Sequence, residues 1–360
     1  MDPPVRPSRA ALNASPTEPS ANPYAHILAN NDRGVLRGIE RLQDIGVAVI
    51  GLNGVGALTA EAFCRYGVKS LVLIDNAEIA LADLSFMQFQ AQDMGKRKDE
   101  RLGTSLRELN PDVHVLAAGV ALSRVHDTIR VLRTAATRPR KRPTAGDNNS
   151  GYSDDSGDSE APSSDAEGCE DGEARGSDLE AKAASAAKTM NTSSSPTNRL
   201  LHAVFLCVEN RELASALNEL CCELGVLFVF AFVGGNGIAG EVLSVAPGRS
   251  SCLQCFEKRK IFKAVLSPPP VPGSNEGDQP SSASEAQQKQ RIRPCLPSTE
   301  CILSGLSVQN AIMQLLGFGT FCSRVEYDGL LEDMDRSGLL APVHQCPSAF
   351  CRLQQYAHAK

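Results

Sequence analysis

Four of the cysteines in this 360-residue chain form two close pairs whose spacing is typical of a metal site. Cys252 and Cys255 enclose two residues, and Cys346 and Cys351 enclose four. Two Cys-x(2–4)-Cys pairs supply four thiolates to a tetrahedral Zn²⁺ in structural zinc sites. The spacing therefore predicts a closed zinc site that stabilises the fold. The alternative is two unrelated pairs of core thiols.

A further cysteine, Cys295, has a sequence environment that suits a nucleophile. It follows the basic residues Arg291 and Arg293, and nearby cations lower the pKa of a thiol and increase its thiolate fraction. Nucleophilic catalysis by cysteine requires that thiolate. We therefore predict a catalytic role for Cys295, with an ordinary unreactive thiol as the alternative.

A glycine-rich stretch, VAVIGLNGVG at residues 47–56, is typical of a phosphate-binding turn. Gly51, Gly54 and Gly56 permit a tight turn and let backbone N–H groups approach phosphates at a helix N-terminus. Asp75 follows roughly 20 residues later, where an acid bonds a ribose hydroxyl. Asn53 replaces the middle glycine of the strict motif. The pattern indicates a nucleotide site but does not separate NAD from ATP, and an ordinary strand–helix turn is the alternative.

Strand and helix patterns alternate around these residues. Short apolar runs predict buried strands at 46–50, 70–75, 113–117, 202–208 and 227–233. Helical spacing predicts helices at 57–66, 96–109, 123–132, 212–224 and 302–316. This alternation predicts βαβ units, and so an α/β, Rossmann-like fold with a mostly parallel sheet.

Three segments lack the large apolar residues that a core requires. We predict a disordered tail at 1–22, a disordered acidic insertion at 138–199 and a mobile loop at 267–294. The remaining residues, 23–137 and 200–360, are then two parts of one α/β domain.

Composition excludes several classes of protein. The net charge of −6 argues against a nucleic-acid-binding domain, because such domains are usually basic. The longest apolar run, residues 226–233, is too short to span a bilayer, which takes roughly 20 residues. The absence of a secretory signal and the cysteine usage indicate a reducing, cytoplasmic location. A basic cluster at residues 138–143 keeps nuclear import as an alternative.

Longer stretches resemble the ubiquitin-like-protein activating enzymes, and within them the branch that acts on the ubiquitin-fold modifier. The matching stretches include ANPYAHIL, AVIGLNGVGALTAE, LVLIDNAEIALADL, LRELNPDV, LNELCCELG, SCLQC, LPST, SVQNAIMQLLGFGT and HQCPSAFC. The resemblance implies a ThiF/MoeB-like adenylation domain. Residues 23–137 would hold the nucleotide-binding βαβ unit, and residues 200–360 the zinc site and the catalytic-cysteine loop.

The resemblance also implies a chemistry: ATP-dependent adenylation of a modifier's C-terminal glycine, then transfer of the acyl group to a cysteine. Lys98 would neutralise phosphate charge, and Cys295 would be the nucleophile, with Cys301 as a second candidate. The implied partners are the modifier, its conjugating enzyme and a second copy of the chain. The implied ligands of ATP and Mg²⁺ are Gly51, Gly54, Gly56, Asp75, Lys98, Glu209 and Asn210 for ATP, and Glu209 for Mg²⁺.

Several chemistry-bearing positions depart from the family pattern. Phe86 stands where the family has an arginine that meets the triphosphate, and Glu209 replaces an aspartate. Ala214 replaces a second arginine, for which Arg211 is a possible substitute. The tail that engages the modifier and the conjugating enzyme has no counterpart after Cys351. Two alternatives therefore stay open: a non-catalytic scaffold of this fold, and a sulfur-carrier adenylyltransferase, which forms no thioester.

Overall fold

A central sheet of eight strands organises the described part of the computed structural model, which comprises residues 23–35, 38–86, 88–137, 200–234, 237–259 and 294–358. The strands are β1 (Gly46–Ile50), β2 (Ser70–Ile74), β3 (His114–Ala117), β4 (Ala203–Leu206), β5 (Leu227–Val233), β6 (Ala239–Val245), β7 (Arg324–Asp328) and β8 (Asp333–Ser337). Their order in the sheet is β3-β2-β1-β4-β5-β6-β7-β8.

The described residues also form eight α-helices and three short 3-10 helices. The α-helices are α1 (Ala25–Asp32), α2 (Gly54–Tyr66), α3 (Lys98–Leu109), α4 (Val125–Thr137), α5 (Arg211–Leu224), α6 (Leu253–Lys258), α7 (Pro297–Leu316) and α8 (Ala349–His358). The 3-10 helices are Ile39–Asp44, Leu81–Ser85 and Ala91–Asp93. Among the described residues, no helix combines the length and apolarity that crossing a membrane requires.

Helices cover both faces of the central strands, which explains why β1, β2, β4 and β5 are almost continuously apolar. Successive residues of β1 point to opposite faces of the sheet. Val49 packs in a core with Phe63 of α2 and Ile312 of α7. Ile50 packs in a second core with Leu217 of α5. The two cores therefore lie on opposite faces of one sheet, and folds of this class bind ligands at the carboxyl ends of their strands.

The predicted α/β, mostly parallel fold is confirmed. β1 to β5 run parallel in the order β3-β2-β1-β4-β5. β6, β7 and β8 extend the sheet as antiparallel strands that the sequence analysis did not predict. The predicted tail, the acidic insertion and the 267–293 part of the predicted mobile loop lie outside the described residues.

One helix boundary differs from prediction in a way that affects the site. α7 begins at Pro297 and not at residue 302. Proline suits the first position of a helix because its missing N–H would have no partner there. Glu300 and Cys301 therefore lie in the first turns of a helix that packs along α2, and not in a loop.

Candidate functional site

The turn between β1 and α2 requires glycine at two positions. Gly51 has a φ of +82°, and a Cβ there would overlap the side chain of Val208. A Cβ on Gly56 would overlap the carbonyl oxygen of Gly51. The chain therefore turns tightly after β1, and the first turn of α2 packs directly on the end of the sheet.

Asn53, the departure from a strict glycine motif, begins α2 as its N-cap. Its side-chain oxygen accepts a hydrogen bond from the Gly56 N–H at 3.1 Å, which satisfies a donor that has no partner within the helix. Its amide nitrogen donates to the Cys207 carbonyl at 2.6 Å. The loop is thereby tied to the connection after β4.

That connection contains the predicted Glu209 and Asn210. Asn210 is the N-cap of α5, where its side-chain oxygen accepts from the Leu213 N–H at 3.0 Å. Glu209 precedes it and is half-buried. Ala214, where the family pattern implied an arginine, is buried in the core beneath α5. Arg211, its suggested substitute, begins the helix and is exposed.

Asp75 lies at the carboxyl end of β2, and both of its oxygens face the backbone of this edge. One accepts from the Leu52 N–H at 2.9 Å and the other from the Ala77 N–H at 3.1 Å. Burial raises the pKa of Asp75, against the opposing effects of the Leu52 N–H and the charge of Lys98. The predicted ribose ligand therefore adjoins the glycine turn and Lys98, and each oxygen keeps a second lone pair for a hydroxyl.

Lys98, the first residue of α3, is held by an acidic partner that the sequence analysis missed. Its ammonium lies 2.7 Å from a carboxylate oxygen of Asp83, with only 11% and 14% of the two side chains exposed. It also lies 5.6 Å from the ring centroid of Phe86. A phosphate that uses Lys98 must therefore compete with Asp83, and Phe86 offers an aromatic face where the family pattern has a cation.

Glu300 is the second residue that the sequence analysis missed. Its side chain is 3% exposed, and a Cβ on Gly54 would overlap its carboxylate. The Gly54 N–H donates to this carboxylate. An anion thus occupies the N-terminus of α2, where phosphates bind in related folds. The signal available in the sequence was a glutamate shortly after a proline, but the helix start was predicted too late to use it.

The Glu300 carboxylate affects the pKa of the Cys295 thiol, together with burial. Burial, reinforced by this carboxylate, raises the pKa of Cys295 to about 12. The predicted cations, Arg291 and Arg293, lie outside the described residues. Cys301, the second candidate nucleophile, lies on the exposed side of α7.

The four paired cysteines come together as predicted. Their Sγ atoms all lie within 4.8 Å of one another, and all four residues are buried. Cys252 Sγ lies 3.7 Å from Cys255 and 3.5 Å from Cys346, and Cys255 lies 4.0 Å from Cys351. A tetrahedral Zn²⁺ with Zn–S bonds of about 2.3 Å separates its sulfurs by roughly 3.8 Å. The cluster therefore fits zinc.

Donors around the cluster suit thiolates. The Val343 N–H donates to the sulfur of Cys255 at 3.3 Å, and the Gln355 amide donates to that of Cys351 at 3.5 Å. Such outer hydrogen bonds orient metal ligands and stabilise their charge. The cluster joins α6 to the segment before α8 and to α8 itself. Four protein ligands fill a tetrahedral metal, so the site is of the closed, structural kind.

Comparisons with known proteins agree with this geometry. Residues 29–133 match the ThiF family. Ubiquitin-like modifier-activating enzyme 5 of Gallus gallus is 25% identical over 342 residues, 95% of this chain and 68% of that protein. The Xenopus laevis protein of the same name is 26% identical over 335 residues, 93% of this chain and 66% of that protein. The chain thus spans about two thirds of the length of these relatives.

Solved structures share the fold. Escherichia coli MccB with MccA-N7isoASN aligns with a TM-score of 0.59 and 13% identity, covering 95% of this chain and 76% of that chain. MccB with ATP aligns with a TM-score of 0.56 over 92% of this chain and 76% of that chain, also at 13% identity. At this identity the likeness concerns the fold alone. The predicted resemblance is confirmed: over 93–95% of its length the chain is similar to proteins named ubiquitin-like modifier-activating enzyme 5, and it has the ThiF/MoeB-like α/β fold.

Proposed function

We propose that this chain activates a ubiquitin-like protein by adenylating its C-terminal carboxylate with ATP and then accepting the acyl group on a cysteine. One observation supports this proposal: Glu300, in the first turn of the helix that begins shortly after Cys295, packs its carboxylate on Gly54 of the glycine turn. A nucleotide-linked acyl group formed at the turn would therefore lie close to a sulfur nucleophile. The curated relatives are named as activating enzymes for a ubiquitin-like modifier, which supports the first part of the proposal.

The residues around the turn can divide the first step among them. The N–H groups at the start of α2 would bind phosphate oxygens, which favour a helix N-terminus. Asp75 would bind the ribose, and Asn210 would line the nucleotide site. Lys98 would offset charge that develops on the phosphates. Glu209 would supply an oxygen ligand to Mg²⁺, which shields phosphate charge when bound.

The departures from the family pattern at Phe86 and Ala214 predict a low rate of adenylation. Each cation lost from the phosphates removes on the order of 10²–10³ in rate, by analogy with other lost charge-stabilising groups. Neither side chain compensates, because Ala214 is buried and Phe86 is apolar. We therefore expect slow adenylation, measurable at high enzyme concentration. Zinc on the cysteine cluster would stabilise the fold and take no part in either step.

The same departures favour a second candidate, a scaffold that binds nucleotide without turning it over. The Asp83 carboxylate on Lys98 also favours it, because it reduces the charge available to a phosphate. In this reading the chain acts as a partner protein, as a homodimer or with a conjugating enzyme.

Exchange of radiolabelled pyrophosphate into ATP separates these functions. The purified chain is mixed with ATP, Mg²⁺ and a ubiquitin-like protein, first of all the ubiquitin-fold modifier, and exchange is measured at high enzyme concentration. Exchange that depends on the modifier, together with a reductant-sensitive adduct on the chain, is the expected result. ATP binding without exchange supports the scaffold, and exchange without an adduct supports a sulfur-carrier type of adenylyltransferase.

A further inference from the structure

Helix α5 holds the two cysteine pairs of the cluster together from one side. The pair on α6 and the pair near α8 lie far apart in the sequence, and α5 supplies none of the four sulfurs. Two neighbouring side chains of α5, those of Asn218 and Glu219, nevertheless hydrogen-bond to the segments that carry these sulfurs. One helix therefore contacts both halves of the cluster.

The first cysteine pair is bound to α5 at the two residues that separate its sulfurs. The Leu253 N–H donates to the side-chain oxygen of Asn218 at 2.9 Å, and the Gln254 amide donates to a Glu219 carboxylate oxygen at 2.8 Å. Leu253 is the first residue of α6, so its N–H has no partner within that helix. Asn218 satisfies this donor and is itself fully buried. The spacer of the pair is therefore fixed to α5 through two hydrogen bonds.

The second cysteine pair is bound through the other oxygen of the same carboxylate. The Ser348 hydroxyl donates to Glu219 at 2.8 Å, and the hydroxyl oxygen accepts from the Cys351 N–H at 3.2 Å. Ser348 precedes α8 and is buried, so its side chain caps the start of the helix that carries Cys351. A hydroxyl has one proton, and donation of that proton to Glu219 sets which way its lone pairs face. Glu219 thus orients the cap that positions a ligand.

A carboxylate suits this double contact because both of its oxygens accept hydrogen bonds. Gln254 and Ser348 each bring a donor, so one side chain satisfies both donors. An amide in place of the carboxylate would keep one acceptor and turn its NH₂ group toward the other donor. The chemistry of Glu219 therefore matches a role as the bridge between the two cysteine pairs.

We propose that Glu219 is a positioning residue of the metal site, which sets the separation of the two cysteine pairs before Zn²⁺ binds, with Asn218 fixing the first pair. Preorganised ligands lose less conformational freedom when the metal binds, so this contact should raise the affinity for Zn²⁺. Hydrogen-bonded partners of metal ligands have that effect in other proteins. The inference concerns metal binding alone and does not depend on the proposed function.

The substitution Glu219→Gln tests the proposal because it keeps the size of the side chain and removes one acceptor. Competition with a chromogenic chelator measures the Zn²⁺ affinity of the full chain, and we expect it to fall by about 10–100-fold. Glu212→Gln, in the exposed first turn of the same helix, is the matched control and should bind Zn²⁺ like wild type. A Zn²⁺ affinity of Glu219→Gln equal to that of wild type would overturn the proposal.

Ser348→Ala tests the bridge itself with a smaller change. If Glu219 acts through Ser348, the double variant should lose less Zn²⁺ affinity than the product of the two single losses, because both changes break the same contact. Losses that multiply in full would contradict a shared contact.

Thermal denaturation separates positioning from a general contribution to the fold. A positioning role predicts that Zn²⁺ raises the Tm of Glu219→Gln by less than it raises that of wild type. Equal losses of Tm with and without Zn²⁺ would assign Glu219 to the fold alone and overturn the proposal. A wild-type chain that takes up no Zn²⁺ would overturn the proposal together with the zinc site.

Discussion

At the scale of single residues, two carboxylates occupy groups that the nucleotide would use. Asp83 binds the Lys98 ammonium, and Glu300 binds the N-terminus of α2. Both contacts join residues that are not neighbours in sequence, so no local sequence motif predicts either contact. Gly51, Asp75 and the four clustered cysteines were predictable because their spacing follows from one turn or from two close Cys pairs. Glu300 and Asp83 were not, because their significance appears only when the chain is folded.

The ion pair of Lys98 predicts how ATP affinity responds to Asp83. Asp83→Asn removes the charge that competes with phosphate for Lys98 and keeps a polar side chain of similar size. We expect ATP with Mg²⁺ to bind about tenfold more tightly, which corresponds to about 1.4 kcal/mol. Isothermal titration calorimetry measures the change. Asp127→Asn, which removes an ion-paired carboxylate on α4 far along the chain, serves as control, and weaker or equal binding by Asp83→Asn would contradict the expectation.

The raised pKa of Cys295 predicts a dependence of its reactivity on pH. Below a pKa of about 12 the thiolate fraction increases tenfold with each unit of pH, so the alkylation rate of Cys295 should do the same between pH 7 and 10. Cys301 is exposed and should be alkylated before Cys295 at pH 8. Mass spectrometry of the two peptides over a pH series measures both rates. A plateau for Cys295 below pH 9 would contradict the raised pKa of this thiol.

At the scale of secondary-structure elements, the sequence predicted the parallel half of the sheet and missed the antiparallel half. β1, β2, β4 and β5 are buried almost throughout and are therefore apolar runs. β7 and β8 read RVEYD and DMDRS, with neither a continuous nor an alternating apolar pattern. Glu241 of β6 is buried because Arg324 of β7 pairs with it. In the sequence alone, a charged residue that is buried in an ion pair with the adjacent strand cannot be told from an exposed surface residue.

The cysteine cluster predicts a structural contribution to α6 and α8. Cys346→Ser removes one thiolate from the proposed zinc site and leaves the other three without a complete tetrahedron. We expect loss of bound zinc and a destabilisation of about 3 kcal/mol, or roughly 6–12 °C in Tm. Metal analysis and thermal denaturation measure the two effects. Cys322→Ser, at a half-buried cysteine outside the cluster, should change neither, and a full zinc content in Cys346→Ser would refute the site.

At the scale of the whole molecule, the site is assembled from both sides of residues 138–199. The glycine turn, Asp75 and Lys98 precede that segment, while Glu209, Cys295 and Glu300 follow it. Residues on the two sides of it belong to one compact unit. The strands and helices that position the site therefore lie outside that segment.

This division predicts the effect of shortening the chain. Replacing residues 138–199 with a flexible linker of about 20 Gly and Ser residues should leave ATP affinity unchanged and shift Tm by less than about 3 °C, since loop length changes stability weakly. Calorimetry and thermal denaturation of the shortened chain measure this. A loss of ATP binding would show that the removed residues contribute to the pocket.

The position of β1 has one more consequence. This strand pairs with β2 on one side and with β4 on the other, so it joins the segments before and after residues 138–199 through backbone hydrogen bonds along its whole length. A protease cut between these segments would sever the chain without separating its halves. The segments before and after residues 138–199, expressed as two separate polypeptides, should therefore assemble by pairing β1 with β4. Recovery of activity after mixing would then report that both fragments have folded correctly.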